Sequence, residues 1–181
     1  MVYVFLAPGF EESEALVPVD CLRRCDQQVQ LVGIGDNIIM GSHGITVVTD
    51  ITDNEVELND ESDMIVLPGG MPGTLNLEKS AVVQSAIDFC VKNDKYVAAI
   101  CAAPSILGHK GLLKGHKAVC YTGFESQLEG AEVLEVPVVV SGKFVTARGA
   151  GVSIQFGLKL VELLTSKEKS DKLRDAILWE K

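Results

Sequence analysis

The chain has 181 residues, 47% of them hydrophobic, and a formal net charge of −9. That length suits one domain, 1–181, with a sizeable core, and the apolar content lies well above the disordered range. The acidic balance argues against nucleic acid and anionic membrane as partners, and no apolar stretch approaches the length of a membrane span.

Residues 2–7 are an apolar run that predicts a buried strand, followed by a loop and a helix over 12–25, with Leu16, Val19 and Leu22 at helical spacing. Val29–Gly33 is a second strand. Ile38–Met40 and 45–49 flank Gly41-Ser42-His43-Gly44, a hairpin signal. Met64–Leu67 is a third apolar run and leads directly into the loop PGGMPGT. Ser80 caps a helix over 80–93, with Val83, Ile87 and Val91 on one face. The run 97–100 is the next strand, and 118–121 another. Residues 133–140 and Phe144–Ala147 bracket Ser141-Gly142-Lys143 as a second hairpin, and helices follow over Ser153–Leu164 and 167–179. Strands alternating with helices, the strands continuously apolar, predict a doubly wound, mostly parallel α/β sheet with helices on both faces, a flavodoxin-like sandwich. Sites in such sheets lie at the carboxyl ends of the strands. Three unusual segments fall there: 7–14, 68–74 and 101–104.

The strand at 97–100 ends at Cys101, and Ala102-Ala103-Pro104 then opens a helix. Proline suits the first helical turn, where its missing N–H is not needed. Cys101 therefore sits at a strand-to-helix elbow, with Cys in the place of a nucleophilic Ser. Most cysteines are small buried hydrophobes. The helix start sets this one apart, because unpaired N–H groups there favour an anion and are expected to lower the thiol pKa. Gly69 and Gly70 let backbone N–H groups approach a ligand. The Gly70 and Ala102 N–H groups form a candidate oxyanion pair. Glu11, Glu12 and Glu14 lie beyond the first strand, and pattern alone does not choose among them. A carboxyl neutralised by burial there would exchange a proton with a nearby thiolate.

The histidines, His43, His109 and His116, read as surface residues, none beside Cys101 in sequence. Neither HExxH nor CxxC is present, so no metal is expected. Cys21 and Cys25 share a helix face and read as packing or subunit contact, Cys90 as core, and Cys120 as a strand end near the pocket. Five cysteines, odd in number and scattered, in a chain read as lacking a signal peptide, point to a reduced, cytoplasmic protein.

The segments GFEESEALVPVDCLRR at 9–24, VLPGG at 66–70, AAICAAP at 98–104 and TARGAG at 146–151 resemble the ThiJ/PfpI superfamily, the family of the parkinsonism-associated deglycase, and are closest to its ThiJ-like branch. The resemblance spans nearly the whole chain. It implies that Cys101 is an oxidisable nucleophile, that Glu14 hydrogen-bonds it, and that Gly70 and Ala102 supply the backbone donors. It matches Arg24 to an arginine near the site across a dimer contact and Arg148 to one before the late helix. Three positions depart from relatives. Ala103 stands where close relatives often carry glycine, and Tyr121 where some carry histidine. Ala102 stands where protease-like members carry histidine, which disfavours a Cys–His dyad and proteolysis. The implied activity is cofactor-independent conversion of reactive carbonyls such as methylglyoxal, or of their protein adducts, by a homodimer. The alternative is a redox sensor or stress-response protein in which Cys101 is oxidised to sulfinic acid.

Overall fold

The structure, a computed structural model, describes residues 1–179, so the last two residues of the expected domain lie outside it. Strand β1 (Val2–Leu6) is followed by α1 (Glu12–Arg24), β2 (Val29–Gly33), the hairpin β3 (Ile38–Met40) and β4 (Thr46–Val48), and β5 (Ile51–Thr52). Next come β6 (Met64–Leu67), α2 (Gly73–Lys79), α3 (Ala81–Lys92), β7 (Tyr96–Ile100) and α4 (Pro104–His109). The chain continues through β8 (Lys117–Ala118), β9 (Glu132–Val133), β10 (Val138–Ser141), β11 (Phe144–Ala147), α5 (Ser153–Leu164) and α6 (Lys167–Ala176).

Seven strands form the main sheet in the order β10-β11-β7-β6-β1-β2-β5. All pairs are parallel except β10 with β11. This is the doubly wound α/β sheet that the alternating pattern predicts. Successive side chains of a strand point to opposite faces, and the central strands bury both. Val4, Leu6, Val66, Ala98 and Ile100 face the layer of α1 and α5, where Leu22 and Phe156 meet them. Phe5, Ile65, Leu67, Val97 and Ala99 face the layer of α3 and α4, against Ile87 and Ile106. Each fully buried Val, Leu, Ile or Phe side chain among them contributes about 1.5–3 kcal/mol. Helices α1 and α5 approach closely because Gly157 leaves room. A Cβ there would lie 2.9 Å from Cys21 Sγ and 3.2 Å from Pro18 Cα. Cys21, Cys25 and Cys90 are all buried in these layers.

The chain visits β1 and β2, then crosses back to β6 and β7 on the other side of β1. The segments after β1, β6 and β7 therefore meet at one end of three adjacent strands. This is the convergence that the sequence predicts at the carboxyl ends.

Four elements differ from expectation. Part of the loop after β6 is the helix α2, beginning at Gly73. The strand over 118–121 reduces to β8, which pairs with β9 outside the main sheet. Beyond it the chain turns toward β7, where the Tyr121 N–H bonds the Cys101 carbonyl at 2.8 Å. The strand over 133–140 is split into β9 and β10, with Pro137 immediately before β10, since proline cannot donate to a ladder. The short β5 carries no clear sequence signal. Among the described residues, no helix is long and apolar enough to cross a membrane.

Candidate active site

Cys101 has a left-handed backbone, φ +66°, a conformation uncommon for a residue with a Cβ. Two bonds from neighbouring segments hold it there. Its N–H donates to the Ala147 carbonyl at 2.9 Å, and its carbonyl accepts from Tyr121. Strain held by surrounding structure in this way is characteristic of functional sites. Pro104 takes the first turn of α4, as expected. The thiol is partly exposed, whereas the other four cysteines are buried.

Of the three carboxylates at the start of α1, the structure places Glu14 at Cys101. Glu14 is 1% exposed, and its Oε2 accepts the Gly69 N–H at 2.9 Å. Its Oε1 is buried with no hydrogen-bond partner among the described residues. Gly69 fits tightly between the two groups. A Cβ there would lie 2.6 Å from both Cys101 Cβ and Glu14 Oε2. Gly70, at φ +90°, packs on the loop after β1, and its N–H, like that of Ala102, favours a negative charge on the Cys101 sulfur. The N–H groups of Gly70 and Ala102 thus both bear on the Cys101 sulfur.

Glu11 and Glu12 turn elsewhere and anchor the β3–β4 hairpin. Glu12 Oε1 accepts the His43 N–H at 2.8 Å and the Ile45 N–H at 3.3 Å, and its Oε2 lies 3.0 Å from His43 Nδ1. Burial alone would raise the Glu12 pKa, but these bonds outweigh it and hold the carboxyl down at about 2. Glu11, Glu12 and His43 bring three ligand-type atoms within 4.8 Å of one another, a grouping the sequence reading did not find. The Ser42 hydroxyl bonds both carboxylates of this group.

The electrostatics of the pair correct one expectation. The Cys101 thiol is not lowered but pushed up to about 12, first by burial and then by the Glu14 carboxylate, with the Ala102 and Gly70 N–H groups opposing. Helix α4 has only six residues, too little dipole to prevail over burial and an adjacent anion. Glu14 is itself pushed up to about 7, mainly by burial, with Cys101 and the Gly69 N–H opposing. Burial holds both groups toward their protonated forms, so near neutral pH the pair retains at least one proton between them.

The remaining candidates are scattered. Tyr121 flanks the site and is half exposed. Cys120 directly precedes Tyr121, whose N–H bonds the Cys101 carbonyl. Cys120 is itself buried in one hydrophobic cluster with Ala103 and Ile106. It also lines a cavity with Arg148, Glu125 and Glu135. Within this chain Arg24 is remote from Cys101. It pairs with Asp20 at the far end of α1 and borders an outward groove with Leu16, Val17 and Ile177. His109 pairs with Glu78 at 2.5 Å, and His116 bonds Ser141 and stacks edge-on against Phe144. Gly149 was missed by sequence reasoning, although its motif was noted; its missing side chain faces Cys101, Glu14 and Tyr121.

A mostly parallel doubly wound sheet with a cysteine in a left-handed turn after the inner strand β7, and a buried carboxyl set against it, defines a flavodoxin-like protein built around a cysteine–glutamate pair. The chain belongs to the DJ-1/PfpI family, whose profile matches residues 1–163. It is 34% identical to Protein DJ-1 homolog B of Arabidopsis thaliana over 98% of this chain, and spans 41% of that protein's length. It is 32% identical to the glutathione-independent glyoxalase DJR-1.2 of Caenorhabditis elegans, covering 90% of this chain and 87% of that one. It is 34% identical to deglycase TK1284 of Thermococcus kodakarensis, covering 90% and 98%. Among solved structures, oxidized DJ-1 of Toxoplasma gondii superposes with a TM-score of 0.94 at 37% identity, covering 99% of this chain and 98% of that one.

Proposed function

We propose that this protein is a cofactor-independent enzyme that converts small reactive 2-oxoaldehydes such as methylglyoxal, or their early protein adducts, with Cys101 as nucleophile and Glu14 as proton carrier. The observation that carries this reading is the buried Glu14 carboxyl, near neutral in pKa, set against Cys101. The glyoxalase and deglycase relatives support it.

Sulfur attacks the aldehyde carbon, forming the S–C bond, and the resulting alkoxide takes the proton held by the pair. The Gly70 and Ala102 N–H groups steady the oxyanion as it forms. Glu14 then removes the proton from that carbon and returns one to the neighbouring carbon, leaving a thioester of the hydroxy acid. Water breaks the S–C bond, releasing lactate from methylglyoxal and restoring the thiol. The sum is one methylglyoxal plus one water to one lactic acid, and every proton that Glu14 takes it gives back. Tyr121 borders the site, and Gly69 positions Glu14.

Incubation of pure protein with methylglyoxal is expected to yield lactate, and Cys101→Ala none. Equal lactate from Cys101→Ala would end this reading.

A second reading has its own support, in the oxidized state of the Toxoplasma gondii relative. Cys101 is partly exposed and the other cysteines buried, so mild peroxide would oxidise it selectively toward sulfinic acid. Dioxidation at Cys101 without carbonyl turnover is the pattern that distinguishes a sensor from an enzyme. Its five free cysteines suit a reducing cytoplasm. The family reading also makes a homodimer the expected assembly, with the apolar groove beside α1 as the contact. Light scattering should give twice the 19.4 kDa chain mass, and a monomer at working concentration would refute this.

A further inference from the structure

Gly149 follows β11 and has a backbone that an L side chain rarely adopts, φ +158° with ψ −170°. A Cβ built on it would lie 3.8 Å from Cys101 Sγ, 3.7 Å from Glu14 Oε1 and 3.3 Å from Cδ2 of the Tyr121 ring. One point in space thus lies against the Cys101 sulfur, Glu14 Oε1 and an aromatic edge. Gly69 fills the space on its own side of the pair, where an added Cβ would collide with Cys101 and Glu14. At Gly149 the added atom would instead be in ordinary van der Waals contact with both reacting groups and squeezed only against Tyr121.

A carbonyl carbon poised for attack must come within about 3–3.5 Å of the sulfur. For Glu14 to carry its proton, it must also stay near Oε1. The space vacated at position 149, 3.8 Å from the sulfur and 3.7 Å from Oε1, adjoins the place such a carbon would take, and a methyl group there would compete with the group attached to it. We propose that Gly149 is a specificity-determining residue. Its missing side chain leaves the space for the substituent next to the reacting carbon, and the Tyr121 ring limits how large that substituent can be. This rests on the carbonyl chemistry proposed above and names the part of the site that selects among carbonyls.

The test compares glyoxal, methylglyoxal and phenylglyoxal on the wild type, Gly149→Ala and Tyr121→Ala. In parallel it compares the rates at which iodoacetamide and the bulkier 2-bromoacetophenone alkylate Cys101. One methyl group in a fitted pocket is worth about 10–200-fold in kcat/KM. Gly149→Ala is therefore expected to lower kcat/KM for methylglyoxal relative to glyoxal by about tenfold or more, and for phenylglyoxal further still. Tyr121→Ala should shift the preference toward phenylglyoxal. The alkylation rates should change in the same order: the bulky reagent disfavoured by Gly149→Ala and favoured by Tyr121→Ala. Unchanged substrate and reagent ratios in both variants would overturn the proposal. If the wild type turns over none of the carbonyls, the proposed function fails while the alkylation ratios still decide the role of Gly149. If Gly149→Ala does not fold, Tyr121→Ala decides alone: a preference shifted toward the bulky partner supports the proposal, and an unmoved one overturns it.

Discussion

Glu14→Gln is expected to cut lactate production by about 10²–10⁴-fold, the usual contribution of a positioned proton carrier, and at the same time to make the protein more stable at pH 8. The two effects share one origin. Burial pushes the Glu14 carboxyl from 4.5 up to about 7, so above that pH the fold holds an anion it would rather not hold. A group whose folded pKa is raised adds stability that is fully present below its unfolded pKa of 4.5 and is lost as pH rises through about 7. Glutamine is neutral throughout and still offers a carbonyl oxygen to the Gly69 N–H. The variant should therefore exceed the wild type by roughly 3 kcal/mol at most at pH 8, with the advantage shrinking to nothing near pH 4.5. Removing the carboxylate also removes one of the two main causes that push the Cys101 thiol up to about 12, so the thiol should titrate lower. A variant with a more readily ionised sulfur and almost no turnover would separate proton carriage from thiol activation. Denaturant melts across pH 4.5–8, with thiol titration and lactate assays on the same samples, read all three. Turnover near the wild-type level, or a stability difference that does not depend on pH, would remove Glu14 from the mechanism.

The sheet was legible in the sequence because its central strands are uninterrupted apolar runs ending in glycine, proline or cysteine. β1, β6 and β7 each announce both their burial and their carboxyl end. The edges were less legible. β8 and β9 have two residues each, too few to show a period, and β10 is set by where Pro137 lets pairing begin. The elbow at Cys101 followed from Pro104 and the small residues before it. The choice of Glu14 over Glu11 and Glu12 depended on which face of α1 turns to Gly69, and residue type alone does not carry that information. The direction of the thiol shift was misread for a related reason. A helix start is visible in sequence, but the burial of the sulfur beside a carboxylate from another segment is not. Gly149 was hidden because a glycine leaves no side chain to read; its meaning lies in what stands around the gap.

Gly69→Ala is expected to damage stability and activity together by adding a single carbon. The new Cβ would sit 2.6 Å from Cys101 Cβ and 2.6 Å from Glu14 Oε2, and 3.0 Å from the Ile100 carbonyl oxygen. None of these neighbours can yield easily. Cys101 is fixed through Ala147 and Tyr121, and Glu14 is bonded to the N–H of residue 69 itself. Overpacking of this kind costs about 1–3 kcal/mol, and a displacement of about 1 Å at reacting groups costs on the order of 10²-fold in rate. Both losses should appear together in melts and lactate assays. Gly151→Ala is the matched control, since a Cβ there would meet nothing within 4 Å; it should leave stability within about 0.5 kcal/mol and activity unchanged. If Gly69→Ala behaves like Gly151→Ala, then Cys101 and Glu14 do not need the close spacing seen between them, and a mechanism that passes a proton from one to the other loses its geometric basis. If activity falls while Cys101 still alkylates at the wild-type rate, the damage lies in the placement of Glu14, and the pair acts as a unit that depends on a glycine too small to keep its members apart.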